Sequence, residues 1–231
     1  NGRDDDCDGT VDEGFELNSP CDGADADGCD EGVTICSVDG RGTICNDTTG
    51  NTVEVCDGLD NDCDGVVDNG VRGPNLVVNG SFETGTAPWT IHAGGDGSAT
   101  RDCSASAFEG TCAVRLANPT IGGWESEQWY QLFTTGSVES NRQYVLRFAG
   151  RSTQTGQLLA WHLIQQDYPY TPLWQELGWV IQPLTSDWTV KTVVFRTTAG
   201  AGASQPRLTT YFGGELGPIG LDGVELYRCN E

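Results

Sequence analysis

From residue 75 onward, short apolar runs alternate with clusters of Gly, Pro, Asn and Ser, as strands separated by turns do. The expected strands are NLVVNGSFE, WTIHA, CAVRLAN, EQWYQLFTT, YVLRFAGRS, LLAWHLIQ, VKTVVFRTTA, RLTTYFG and LDGVELYR. Period-two alternation assigns their faces: Tyr144, Leu146 and Phe148 share one side of YVLRFAGRS, and Arg147 and Arg151 take the other. Hardly any stretch keeps a helical apolar period. Short strands of this number and spacing predict an all-β fold, a β-sandwich or jelly roll. Trp89, Trp161 and Trp188 read as its core.

Residues 1–74 have no comparable runs. They hold 20 of the 34 acidic side chains, three of the 12 basic ones and seven of the ten cysteines. A segment so charged cannot bury enough apolar surface to fold by collapse. Its cysteines instead predict a small loop-rich unit held by covalent and ionic staples. The expected organisation is a Cys/Asp-rich segment over 1–74 and a sandwich over 75–231. Ten cysteines and no methionine point to an oxidising, extracellular compartment. No apolar run approaches the roughly 20 residues of a membrane helix, so no membrane insertion is expected. A net charge of −22 argues against nucleic acid as a partner. The chain opens on Asn, and upstream sequence is expected to have been removed.

The sharpest local pattern is DNDCDGVVD. Asp60, Asp62 and Asp64 alternate, Gly65 allows a sharp turn, Val66 can offer its carbonyl, and Asp68 closes the run. The same offsets recur at Asp4, Asp6, Asp8, Thr10 and Asp12. Carboxylates so closely spaced repel unless a cation sits among them, and a flexible all-oxygen set favours Ca2+. Position 12 of an EF-hand would fall on Phe15 and Val71, so neither loop is expected to act as an opening sensor. The loops resemble thrombospondin type 3 calcium loops. More closely, CDGLDNDCDGVVD and NGRDDDCDGTVDEG resemble the Cys/Asp metal-binding motif repeats of secreted bacterial surface proteins, and CDGADADGCDEGVTIC fits the same family. That resemblance implies structural calcium, with a poorer match at Asp22, Asp25 and Asp27.

The repeat template places Cys56 and Cys63 together and puts the partner of Cys7 just ahead of Asn1. Cys103 and Cys112 are close enough for a local pair, which leaves Cys229 over in the second region. An odd cysteine on each side invites a Cys7–Cys229 bridge, within one chain or between successive chains; connectivity does not follow from sequence.

NLVVNGSFETGTAPW and GLDGVELY resemble the opening and closing strands of jelly-roll carbohydrate-binding modules of families 4, 9 and 22. FEGTCAVRLAN, QYVLRFAGRS and PYTPLWQELGWVIQPLTSDWTVKTVVF resemble segments between them. The resemblance implies a further calcium held by Glu83 and Asp222, with Gly223 replacing the family's second Asp. It also implies a sugar-binding sheet surface, which the WESEQWYQ strand would supply with Trp124, Glu127, Gln128 and Gln131. Stacking aromatics with amides, carboxylates or Arg are the groups that sugar recognition needs. By that chemistry Arg147, Arg151, His162 and Gln166 join the candidates, as do Tyr168, Tyr170, Trp174 and Trp179 from the DYPYTPLWQELGW loop.

Neither His92 nor His162 has a nucleophile or metal-hydrolase spacing near it, so no enzyme activity is expected. The leading expectation is a non-catalytic, calcium-stabilised module that binds a polysaccharide or other glycan at a bacterial cell surface or matrix. The alternative is a structural subunit of an extracellular fibre or surface layer, assembled head to tail with copies of itself. The chain's start inside a repeat and its odd cysteines motivate that alternative.

Overall fold

The structure is a computed structural model that describes residues 2–3, 11, 17–24, 29–38, 42–48, 50, 53–93, 96–104, 106–118, 127–154, 156–175, 180–212 and 218–230. The chain separates into two compact units, residues 1–71 and 72–231.

The first unit contains a small antiparallel sheet of β1 (Pro20–Cys21), β2 (Gly32–Cys36) and β3 (Thr43–Cys45), in the order β1-β2-β3. Disulfides Cys21–Cys45 and Cys29–Cys63 cross-link it. Cys63 therefore takes Cys29 as its partner, not the Cys56 of its own repeat. Cys56 in the first unit and Cys229 in the second are each engaged in a disulfide as well; Cys7 lies outside the described residues. The backbone packs tightly against sulfur: a side chain on Gly32 would meet Cys45 Sγ at 2.6 Å. Among the described residues, the side chains this unit buries are cysteine and carboxylate, namely Cys29, Cys56, Asp47, Glu54 and Asp68. Several of its valines face solvent, with Val38 and Val53 at 104% and 71% exposure.

The second unit is a sandwich of two five-stranded antiparallel sheets. Its strands are β4 (Thr90–Ala93), β5 (Ser98–Asp102), β6 (Ala113–Ala117), β7 (Glu127–Leu132), β8 (Gln143–Ser152), β9 (Leu158–Gln165), β10 (Val180–Pro183), β11 (Thr189–Arg196), β12 (Pro206–Tyr211) and β13 (Ile219–Arg228). One sheet runs β10-β9-β12-β7-β4 and the other β11-β8-β13-β6-β5. The described residues contain no α-helix, and no helix among them is long and apolar enough to cross a membrane. Between the sheets lies one apolar core that includes Phe82, Trp89, Trp129, Phe148 and Trp161. Trp89 stacks on Trp129 at 4.7 Å, and Phe148 meets Trp161 at 5.1 Å. Alternation along β8 holds: Tyr144, Leu146 and Phe148 are fully buried, and Arg147 and Arg151 are half-buried on the opposite face.

Two expectations are corrected. NLVVNGSFE is not a strand, because Asn79 and Phe82 adopt positive φ (55° and 54°) and turn the chain. Asn79 Nδ2 fixes that turn by donating to the carbonyls of Gly85 and Ala87, both at 2.9 Å. Trp188 is not core; it is half-buried, and its ring lies under the Arg151 guanidinium at 4.6 Å.

Candidate functional site

The outward face of the sheet β10-β9-β12-β7-β4 carries a concentrated set of aromatic and polar side chains. Leu208 of β12 and Trp129 of β7 point into the core, so alternation turns Arg207, Thr209 and Tyr211, with Gln128 and Tyr130, outward. Strand register brings His92 beside Gln128, Gln128 beside Tyr211, and Thr209 between Tyr130 and His162. His92, Gln128, His162, Ile164, Tyr170, Arg207 and Tyr211 line a cleft of about 350 Å³.

Arg207 is its centre. Its guanidinium lies over the ring of Tyr130 at 4.8 Å and faces the Tyr170 ring at 5.8 Å. Nη2 donates to Gln128 Oε1 at 3.2 Å. No carboxylate among the described residues pairs with it, and Nε is buried without an acceptor. Tyr170 (51% exposed) reaches this position at the tip of the loop after β9, with Tyr168 edge-on to it at 6.2 Å. His162, backed by Trp174 at 5.7 Å, is held in the neutral form. Burial, and secondarily the Arg207 charge, push its pKa down to about 4.

Of the expected sugar contacts, Gln128 and Tyr170 line this cleft and His162 joins them. Trp124 and Trp179 lie outside the described residues. Five nominations move elsewhere. Glu127 is 1% exposed and shares the inward side with Trp129, covered by the backbone of Gly97. Gln131 is buried, exchanging hydrogen bonds with the backbone of Val78 (2.8 and 2.9 Å). Trp174 is 2% exposed and packs edge-on against Phe195 at 5.1 Å, so no face is left for a ligand. Arg147 and Arg151 project from the other sheet, where Arg147 pairs with Glu225 at 3.4 Å. Sequence reasoning missed Arg207, Tyr130, His92 and Tyr211. RLTTYFG alternates visibly, but nothing in it says which strands lie alongside.

The expected cation residues are distributed differently from their loop spacing. Asp4, Asp6, Asp8, Thr10 and Asp12 lie outside the described residues. In the second loop, Glu54, Asp60 and Asp62 bring carboxylate oxygens within 4.8 Å of one another. Glu54 Oε1 accepts from the amides of Asn61 and Asp62 (2.7 and 2.9 Å), and Asp60 Oδ2 accepts from Gly65 N–H at 3.0 Å. Their other oxygens, Glu54 Oε2 and Asp60 Oδ1, are buried with no donor. Orphaned oxygens on two carboxylates of one cluster fit a hard divalent cation.

Asp64, Val66 and Asp68 do not join them. Asp64 accepts from Val66 N–H and Asn69 Nδ2, and the Val66 carbonyl accepts from Asn69 N–H. Asp68, fully buried, turns back to the amides of Asp57 and Gly58 (3.0 Å each). Glu54, ahead of Cys56, takes the place expected of them.

Glu83 and Asp222 are likewise occupied by the protein. Glu83 accepts from the amides of Thr111 and Cys112 (2.8 and 2.9 Å) and from the Thr111 hydroxyl (2.8 Å). Those amide bonds lower its pKa. Asp222 accepts from the amides of Phe108, Glu109 and Gly223 (2.9, 3.1 and 2.8 Å), while burial raises its pKa. The 108–112 segment thus caps both carboxylates, aided by the Cys103–Cys112 disulfide.

The second unit is thus a two-sheet β-sandwich that carries an aromatic and polar cleft on one sheet. The carbohydrate binding domain family CBM_4_9 matches residues 74–215, more than half of the chain, and the chain belongs to it. No curated protein matches the chain. Among solved structures, it is similar to the CBM22-1 xylan-binding domain of Paenibacillus barcinonensis Xyn10C (15% identity, 69% of this chain and 97% of that one, TM-score 0.53). It is also similar to arabinose-bound MgGH51 α-L-arabinofuranosidase (16% identity, 67% and 26%, TM-score 0.53). A third is the enzymatically active domain of tailspike protein 4 from bacteriophage CBA120 (18% identity, 67% and 21%, TM-score 0.51). The chain thus spans about a quarter or less of the last two, and at these identities the likeness is one of fold.

Proposed function

We propose that this chain is a non-catalytic, extracellular glycan-binding module whose ligand lies across the cleft centred on Arg207. The carrying observation is the arginine held between Tyr130 and Tyr170, with no carboxylate partner among the described residues and Gln128 beside it. Aromatic rings supply apolar faces for a pyranose, and the guanidinium and amide supply directed donors and acceptors for its hydroxyls. Membership of a carbohydrate binding domain family supports this reading, as does the fold shared with a xylan-binding domain. In the first unit, Glu54, Asp60 and Asp62 would hold Ca2+, which would neutralise their clustered charge and stiffen the loop. Disulfides in both units suit an extracellular location.

The test is a glycan array followed by calorimetric titration of the strongest binder. Arg207→Ala and Tyr170→Ala should each weaken binding about tenfold or more. Absence of any retained glycan, or wild-type affinity in Arg207→Ala, would overturn the reading. Sedimentation of the same sample separates a module from a fibre subunit, which requires polymers.

A further inference from the structure

The opposite sheet carries a second cleft that the glycan reading does not use. On β11-β8-β13-β6-β5, Gly220 of β13 pairs with Arg151 of β8 on one side and Arg115 of β6 on the other. Residues directly opposite in a sheet project to the same side, so two guanidiniums flank a position with no side chain. Neighbouring strands lie about 4.8 Å apart, which puts the two arginine backbones roughly 10 Å from each other. The space over Gly220 is used: a side chain there would sit 3.0 Å from both Arg151 Cγ and Trp188 Cη2.

Arg151 and Trp188 are positioned by a shared anchor. Trp188 Nε1 donates to the Ser106 carbonyl at 2.9 Å, and Arg151 Nη1 donates to the Ser106 hydroxyl at 3.1 Å. The cleft between this stack and Arg115 measures about 260 Å³, and Asp102, Ser152, Thr153 and Ser186 also line it. Neither guanidinium pairs with a carboxylate among the described residues, in a chain with 34 acidic and 12 basic side chains. Arg147, four residues from Arg151 on the same face, does have such a partner in Glu225.

We propose that this cleft is a second binding site, for an acidic saccharide whose uronate carboxylate lies between Arg115 and Arg151. Two unpaired guanidiniums select a carboxylate, because charge-assisted bonds to it are stronger than those to neutral oxygens. The indole and the hydroxyl-rich wall suit a pyranose ring, and a cleft this size takes one sugar residue. Asp102 gives the wall an acceptor for ring hydroxyls and disfavours a second negative group beside it.

The experiment titrates the two-unit chain of residues 1–231 with trigalacturonate and, separately, with neutral galactotriose, while the Trp188 indole N–H is followed by NMR. Trp188→Phe assigns that signal. Trigalacturonate should shift it saturably, galactotriose should not, and Arg115→Gln/Arg151→Gln should weaken the acidic ligand roughly tenfold or more. Gly220→Ala, which crowds Arg151 and Trp188, should weaken it too. The shift should persist in Arg207→Ala, which disables only the cleft on the other sheet. No shift with trigalacturonate, equal shifts with both sugars, or undiminished binding in the double arginine variant would each overturn the proposal. Because Arg207 is not part of this site, these outcomes are independent of the function proposed for the other sheet.

Discussion

The two units solve the problem of burial with opposite materials. The second encloses Phe82, Trp89, Trp129, Phe148 and Trp161 between two sheets. The first leaves Val38, Val53, Val55 and Leu59 exposed and buries Cys29, Cys56, Glu54 and Asp68. A core of tryptophan is stabilised by area removed from water and by dispersion. A core of sulfur and carboxylate gains little of either, and depends on covalent closure and on neutralisation of charge. Apolar content alone is therefore a poor guide to what matters in the first unit.

The largest expected effect tests the apolar side of that contrast. Trp161→Ala should destabilise the second unit by about 3–5 kcal/mol, the usual cost of emptying a core tryptophan site. Val53→Ser, an apolar deletion in the first unit, should stay within about 0.5 kcal/mol. Denaturant unfolding of both variants measures the difference; a Val53→Ser effect as large as that of Trp161→Ala would erase the contrast.

Next comes the ionic side. Calcium at a hundredfold excess over its dissociation constant should stabilise the first unit by about 3 kcal/mol. Chelator should therefore raise hydrogen exchange in residues 53–70 and leave the sandwich strands protected. Glu54→Gln should weaken the calcium response, because it removes the buried charge beside Asp60. Unchanged exchange in chelator would leave disulfides alone to hold the unit.

The smallest effect concerns protons. The His162 pKa is about 4 in the folded protein against an ordinary value of 6.5, so the unfolded chain takes up the proton more readily. Stability from this residue is complete above pH 6.5 and is lost as the pH falls from 6.5 through about 4. The expected loss is about 2 kcal/mol at pH 5 relative to pH 8. It should fall on the second unit and disappear in His162→Gln, as thermal melts across that range would show. Because His162 stays neutral between pH 6 and 8, its titration should leave glycan binding unchanged over that range.

Most of the sandwich is legible in the sequence because alternation is a local property. Tyr144, Leu146 and Phe148 declare their face without reference to any other strand. The site is less legible because it is a property of pairing. Arg147 and Arg151 are correctly placed outward, but the outward faces of the two sheets are different surfaces. Only register joins His92, Gln128, Arg207 and Tyr211, which come from three strands far apart in sequence. The cation loop fails in another way. Its spacing suggests a self-contained ring, yet Asp64 and Asp68 satisfy nearby donors and Glu54 enters from before the motif. Spacing shows that carboxylates are concentrated, not which of them remain unsatisfied.

The clamp on Arg207 also bears on how tightly the cleft can hold anything. An exposed arginine samples many rotamers, and freezing such a side chain on binding costs about 0.5–1.5 kcal/mol. Between Tyr130 and Tyr170, with Gln128 holding one nitrogen, that freedom is already spent during folding. A ligand meets a preorganised donor, so the entropic penalty of ordering it does not recur at each encounter. Loosening the tyrosines would thus raise the dissociation rate even if every contact to the ligand could still form.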